Sequence, residues 1–202
     1  SGASCGGGTS SASRAEKRSI STSAAELKRA DGQGSRQRRI TAAYCDENPL
    51  IVNTGLLTGS TVMTGMRTYF SGYSPLKGSK AGLPAAIWST GSGKFGAKFK
   101  WTGLDELVFE NRSATPVYVV IRQSDSGPQV ELKAAEQLLG LSTHEKIMAL
   151  QKEYPNAHFA AIGPAGEKLV RYAAIMNDKH RAAGRCGLGA VMGSKRLKAI
   201  AC

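Results

Sequence analysis

The chain has 202 residues, 41% of them hydrophobic, enough for one sizeable domain with a packed core. Its net charge of +12, from 27 Lys/Arg against 15 Asp/Glu, favours anionic partners: phosphate groups, nucleic acid or an acidic redox protein. No apolar run approaches the roughly 18 residues that span a bilayer; the cysteines Cys5, Cys45, Cys186 and Cys202 include no close pair of the zinc or cluster type, so reduced thiols in the cytoplasm, away from membranes, are the expectation.

Residues 1–47 form a basic, low-complexity leader rich in Ser, Gly, Ala and Arg, with Ile20 and Leu27 as its only large aliphatics before Ile40. Such a segment buries too little apolar surface to offset its ordering entropy, so it reads as disordered apart from one helical turn at 24–30. An Arg- and Ser-rich leader also reads as an organelle transit peptide. A globular pattern begins at Asn48, and the domain is set at 48–202. Strands are expected at 49–54 and 67–73, the second followed by a turn at 74–78. Residues 106–110 and 117–122 read as a hairpin joined through 111–116, with another strand at 129–133. Ser142 and Glu145 have capping-box spacing, which places a helix over 143–154 with Ile147, Met148 and Leu150 facing the core. Strands follow at 157–162 and 169–176, then a glycine-punctuated helix at 188–195 and a closing strand at 197–201. A faint echo joins the two ends of this pattern. Ile51 to Gly59 is a strand and glycine-bracketed turn leading to Arg67; Phe159 to Gly166 repeats the plan and leads to Arg171 and Arg181.

Three stretches could carry chemistry. In 162–200, Arg181 and Arg185 share a loop of small residues, and Gly187 and Gly189 open a helix whose positive end is expected to face that loop, as an anion site requires. A glycine-rich turn bearing a surface arginine pair explains the same residues. In 55–67, three glycines and three threonines suit a loop that hugs a ligand, with Arg67 opening the next strand; a plain loop fits as well. The run Thr90 to Gly96 invites comparison with a nucleotide-binding P-loop, but Lys94 is followed by Phe95 and Trp88 stands where the first glycine belongs, which excludes that motif. His144, His158 and His180 have no metal-ligand spacing, and Asp105 and Glu106 read as a turn before a strand.

The long run IGPAGEKLVRYAAIMNDKHRAAGRCGLGAVMGSKRLKAI at 162–200 resembles the signature of the tungsten-containing aldehyde:ferredoxin oxidoreductases. So do TGLLTG at 54–59, SPLKG at 74–78 and the segment before Phe95-Gly96-Ala97. The resemblance implies an α+β domain of two β-sheets related by a pseudo-two-fold, duplicated half-domains with a few short helices. It also implies a bis-pterin tungsten cofactor whose phosphates are bridged by Mg²⁺, and oxidation of aldehydes to carboxylic acids. Electrons would pass through a [4Fe–4S] cluster to ferredoxin. By the same likeness Arg67 and Arg181 lie between pterin and cluster; backbone carbonyls of Thr90 and Ala182 hold the magnesium; Ser92, Gly93, Ala183, Gly184 and Arg185 line the pterins. No catalytic residue is assigned. Thr90 replaces a usual Asn, Ser92 a usual Gly and Cys186 a usual Gly. The cluster ligands are expected in further domains or a companion subunit, so that this chain alone is inactive, and a homodimer is compatible with the family. A non-catalytic module binding phosphate or nucleic acid on the same scaffold is the rival reading, resting on the basic charge.

Overall fold

The computed structural model describes Arg18–Ile20, residues 43–78 and residues 84–202. In chain order the elements are β1 (Arg18–Ile20), β2 (Leu50–Thr54), β3 (Thr68–Gly78), β4 (Pro84–Gly91), α1 (Lys94–Trp101), β5 (Glu106–Phe109), β6 (Val117–Ser124) and β7 (Gly127–Ala134). A 3₁₀ turn at Glu136–Leu138 leads to α2 (Thr143–Glu153), β8 (Phe159–Ala161), α3 (Pro164–Glu167), β9 (Ile175–Asn177), β10 (Arg181–Ala183), α4 (Leu188–Ser194) and β11 (Leu197–Ala201).

Two sheets result, in the orders β1-β5-β2-β3-β4 and β10-β9-β8-β11-β6-β7. Within them one plan is used twice. β5-β2-β3-β4 is antiparallel throughout, and so is β11-β8-β9-β10. A helix sits between the third and last strand of each set, α1 in one and α4 in the other. The outer neighbour is parallel in both, β1 on β5 and β6 on β11. The α+β class with two sheets and short helices is therefore as the resemblance implies, and the echo correctly pairs β2 with β8.

Packing explains the layering. β2 and β5 alternate buried and more exposed residues, as strands with one covered face do. β11 is buried along its whole length. One of its faces joins the core shared by both sheets, where Leu50, Phe70, Phe95, Phe99, Leu107, Val119, Ile175, Leu188 and Ile200 meet. Its other face lies under α2, with Phe159, Ile147, Leu150 and Leu138. α2 begins where the sequence predicts: the Ser142 hydroxyl accepts from Glu145 N, and the Glu145 carboxylate accepts from Ser142 N. Lys146 on α2 is fully buried, yet its Nζ donates to the Ile162 carbonyl (2.7 Å) and to Glu167 Oε1 (2.6 Å).

Several expectations change. Residues 74–78 continue β3 through an irregularity, and the Ser74 hydroxyl accepts from Leu76 N and Lys77 N. β5 and β6 form no hairpin: they belong to different sheets, and the 111–116 segment carries the chain across. Of 169–176 only the end is strand, and Met148 is 40% exposed. β4 and α1 fall in a stretch to which the sequence assigns no element. The boundary after Glu47 cuts a packed turn, because Ala43 is buried, Asn48 Nδ2 donates to its carbonyl, and Asn111 N donates to the Asp46 carbonyl. β1 lies inside the segment read as disordered; the helical turn at 24–30 and the rest of that segment before residue 43 lie outside the described residues. No helix among the described residues is long and apolar enough to cross a membrane.

Candidate cofactor cleft

β4 and β10 are the edge strands of their sheets, and they run beside one another. Two hydrogen bonds cross this seam: Arg185 N donates to Ser89 Oγ (3.0 Å), and Asn177 Nδ2 donates to the Ser92 carbonyl (3.4 Å). Gly91 is required here, since a Cβ would stand 2.4 Å from Asn177 Nδ2. Asn177 is fully buried and its Oδ1 has no hydrogen-bond partner.

A cleft of about 590 Å³ opens along the seam, lined by Arg67, Trp88, Thr90, Ala182, Gly184 and Arg185 among others. Arg67 Nη1 donates to Thr90 Oγ1 (3.2 Å), which ties the start of β3 to the end of β4. Trp88 is 65% exposed and offers a flat face next to Ile87. Two arginines and no carboxylate line this space, a donor set that matches an anionic, planar, phosphate-bearing group. At Gly184 a Cβ would meet only the Ala182 Cβ, at 4.0 Å, so the backbone there is open to close approach. The residues present thus fit the bis-pterin cofactor that the resemblance implies. Thr90 and Ala182 stand at matching places in the two half-domains, near the ends of β4 and β10 and just ahead of α1 and α4.

The other assigned residues are placed differently. Gly93 and Arg181 line an adjoining cleft of about 400 Å³, whereas Arg67 lines the seam. The two arginines are not equivalent: Arg67 precedes β3, whose counterpart is β9, whereas Arg181 opens β10, the counterpart of β4. Arg171, ahead of β9, holds the place that matches Arg67. Ala183 turns its side chain into the shared core and has only its backbone to offer, and Ser92 lines neither cleft. The start of α4 does not face the arginine loop with free amides, because Gly189 N donates to the Ala173 carbonyl (3.0 Å). Its glycines serve packing instead. A Cβ at Gly193 would stand 2.0 Å from the Gly166 carbonyl oxygen, and one at Gly187 would stand 1.8 Å from that of Arg171. The loop at 55–67 is likewise self-satisfied: Gly55 N donates to Thr58 Oγ1, and Trp101 Nε1 pins the Gly59 carbonyl (2.8 Å).

Sequence reasoning missed Trp88 and Ser89, whose strand was hidden by the glycines after it, and the pairing of His158 Nδ1 with Asp178 Oδ1 (2.9 Å), which depends on the β8–β9 register. Cys202 packs behind α1; burial pushes its thiol well up, the Asp178 charge adds to this, and Lys98 opposes it.

A sequence model of the aldehyde ferredoxin oxidoreductase N-terminal domain matches residues 34–202. The tungsten-containing aldehyde ferredoxin oxidoreductase of Thermococcus kodakarensis is 46% identical over 157 residues, covering 77% of this chain and 24% of that one. The aliphatic sulfonate oxidoreductase, WOR-like subunit, of Pyrococcus furiosus is 33% identical over 169 residues, covering 77% and 25%. Among solved structures, the active site complex BamBC of benzoyl coenzyme A reductase, in complex with 1,5-dienoyl-CoA, superposes with a TM-score of 0.70 at 36% identity, over 79% of this chain and 23% of that one. The chain thus spans about a quarter of the length of these relatives. Because the match takes in both sheets and every strand from β2 onward, the chain belongs to the aldehyde ferredoxin oxidoreductase family, within its N-terminal domain.

Proposed function

We propose that the β4–β10 seam seats a bis-pterin tungsten cofactor, and that the whole protein oxidises aldehydes to carboxylic acids. Each turnover would take one aldehyde and one water to an acid, two protons and two electrons, for which a [4Fe–4S] cluster held by the rest of the enzyme would supply the route to ferredoxin. The cofactor, when bound, supplies the two-electron redox centre. The observation that carries this reading is the cleft lined by Arg67 and Arg185 without a carboxylate, at the place where the ends of both edge strands meet.

This chain's own residues bind and orient. Arg67, already held by Thr90, presents its remaining guanidinium donors to an anion in the cleft. Arg185 is fixed at its backbone by Ser89, which leaves its side chain to the ligand. The carbonyls of Thr90 and Ala182 would hold Mg²⁺, an oxygen-seeking ion that neutralises neighbouring phosphates. Gly184 admits close approach and the Ala183 backbone lies beside it, while Gly93 and Arg181 line the adjoining cleft. The thiolates of the cluster come from the rest of the enzyme, either further domains or a companion subunit.

The test uses the intact enzyme, purified anaerobically after growth with tungstate. Replacing both Arg67 and Arg185 by Ala should sharply reduce tungsten by elemental analysis and pterin by fluorescence. Full occupancy of both in the double variant would end the assignment.

A further inference from the structure

β6 outruns the strand beside it. Val117 N donates to the Arg196 carbonyl, so alternate residues of β6 from Val117 onward aim their backbone groups toward β11, and those between them toward β7. β6 continues to Ser124, paired with β7 throughout, but its register with β11 ends where Val120 meets Ala201. The Ile121 carbonyl and the Gln123 N–H therefore point past the end of β11, where no described strand runs. On the other side of β11 the ladder is intact up to Cys202, which exchanges two backbone hydrogen bonds with His158 (2.7 and 3.0 Å).

Ahead of Cys202 lies a gap of about 540 Å³, with Ile121 and Gln123 on one side and Pro155 and Ala157 on the other. An aromatic ring stands on each face of it: Trp101 on α1, with Lys98 Nζ 5.4 Å from the ring centre, and Tyr154 after α2, with the Arg122 guanidinium 5.5 Å away. The one carboxylate in its lining, Glu153, is taken by the Tyr154 hydroxyl (2.5 Å) and Lys133 (3.5 Å). Backbone groups in line with a ladder, flanked by two aromatic walls, are what an added strand requires. The relatives have the length to supply one, since this chain spans about a quarter of them.

We infer that the gap is filled by an extended segment of the same polypeptide, the residues that follow Cys202 in the whole protein, which prolong β11 by about three residues. The first of these donates to the Ile121 carbonyl and accepts from Gln123 N–H. Ala201 faces the core under α2 and Cys202 the shared core. Alternation then turns the first following side chain toward Tyr154 and Arg122 and the second toward Trp101 and Lys98, so an acidic residue at either place meets a cation. The joint between this domain and the rest of the enzyme is thus a sheet strand and not a free linker.

The test uses the intact enzyme. Its Gln123 amide should exchange with deuterium at least about a hundredfold more slowly than that of Ser126 at the β6–β7 turn, as a hydrogen bond inside a sheet implies. With Gln123→Cys, a cysteine at the second position after Cys202 should join it through a short thiol cross-linker within one chain, whereas a cysteine at the fourth position should not. Equal exchange at Gln123 and Ser126 overturns the proposal. So does protection without the registered cross-link, which would mean that another segment lies there, or a cross-link found only between chains, which would mean a strand from a second subunit. Tungsten and pterin content play no part in these readouts, so the cofactor assignment stands or falls separately.

Discussion

The two half-domains share a strand order but treat their helices in opposite ways. α4 is buried at every residue and meets α3 through glycine, with Gly193 against the Gly166 carbonyl and Gly166 against that of Gly189. α1 buries Phe95, Gly96, Ala97 and Phe99 and leaves Lys94 exposed. The loops ahead of them differ likewise. Between β8 and β9 the chain folds α3 onto α4, whereas between β2 and β3 it exposes Leu56 at 89% and Met63 at 87%. One topology therefore supports a half closed on itself and a half kept open, and both candidate clefts draw on the open half, through β4 and the start of α1.

This contrast can be broken by substitution. Gly193→Ala should have the largest effect: with no room for a methyl group against a backbone carbonyl, a loss above about 4 kcal/mol, or no folded protein, is expected in urea unfolding. An unchanged midpoint would mean that α3 and α4 are not packed this way. Glu167→Ala should come next, at about 3–5 kcal/mol, because it strands the fully buried Lys146 without its carboxylate. The same pair gives a pH signature. Burial pushes the Glu167 carboxyl up, but hydrogen bonds from Lys146 and Gly140 N, with the charges of Lys146 and Lys198, outweigh it and hold the carboxyl below its ordinary value. A depressed carboxyl contributes stability above the unfolded value, about pH 4.3, and loses it as pH falls through the folded one. Stability of the parent should drop in that acid range, and Glu167→Ala should flatten the drop; equal slopes would count against the pairing.

In the open half the effects shrink. Gly93→Ala meets a φ of 110° but no blocking backbone, the nearest atom being Asp178 Oδ2 at 3.2 Å, so about 1–2 kcal/mol is expected. Met63→Ser should change stability by less than about 0.5 kcal/mol, since that side chain is already in solvent. A loss as large as that of Gly193→Ala would show the 55–67 loop to be packed after all.

What the sequence disclosed was local. The start of α2 was legible because Ser142 and Glu145 satisfy each other across one helical turn, and β6 and β7 were legible as strands because a β-branched run is followed by a tight turn. Partnership between strands was not legible: the turn-rich 111–116 segment looks like a hairpin whether or not β5 and β6 meet. Ser89 to Gly93 did not read as a strand because glycine in a strand makes sense only once Asn177, 86 residues after Gly91, is seen to fill the space its side chain would need. The likeness to the family named candidate site residues, yet it could not show that Arg67 and Arg181 occupy different steps of the repeated plan, since that depends on counting strands in each half.

The placement of Trp88 and Trp101 has an optical consequence. They are the chain's two tryptophans, 65% and 58% exposed, one on the wall of the seam and the other bonded to the loop at 55–67. Their emission should be red-shifted and open to collisional quenchers in the free domain. An aromatic ligand in the seam would quench Trp88 alone, while closure of the exposed loop under other polypeptide would shift Trp101 to the blue. With each indole replaced in turn by phenylalanine, fluorescence would follow cofactor loading and assembly as two separate events in the same molecule.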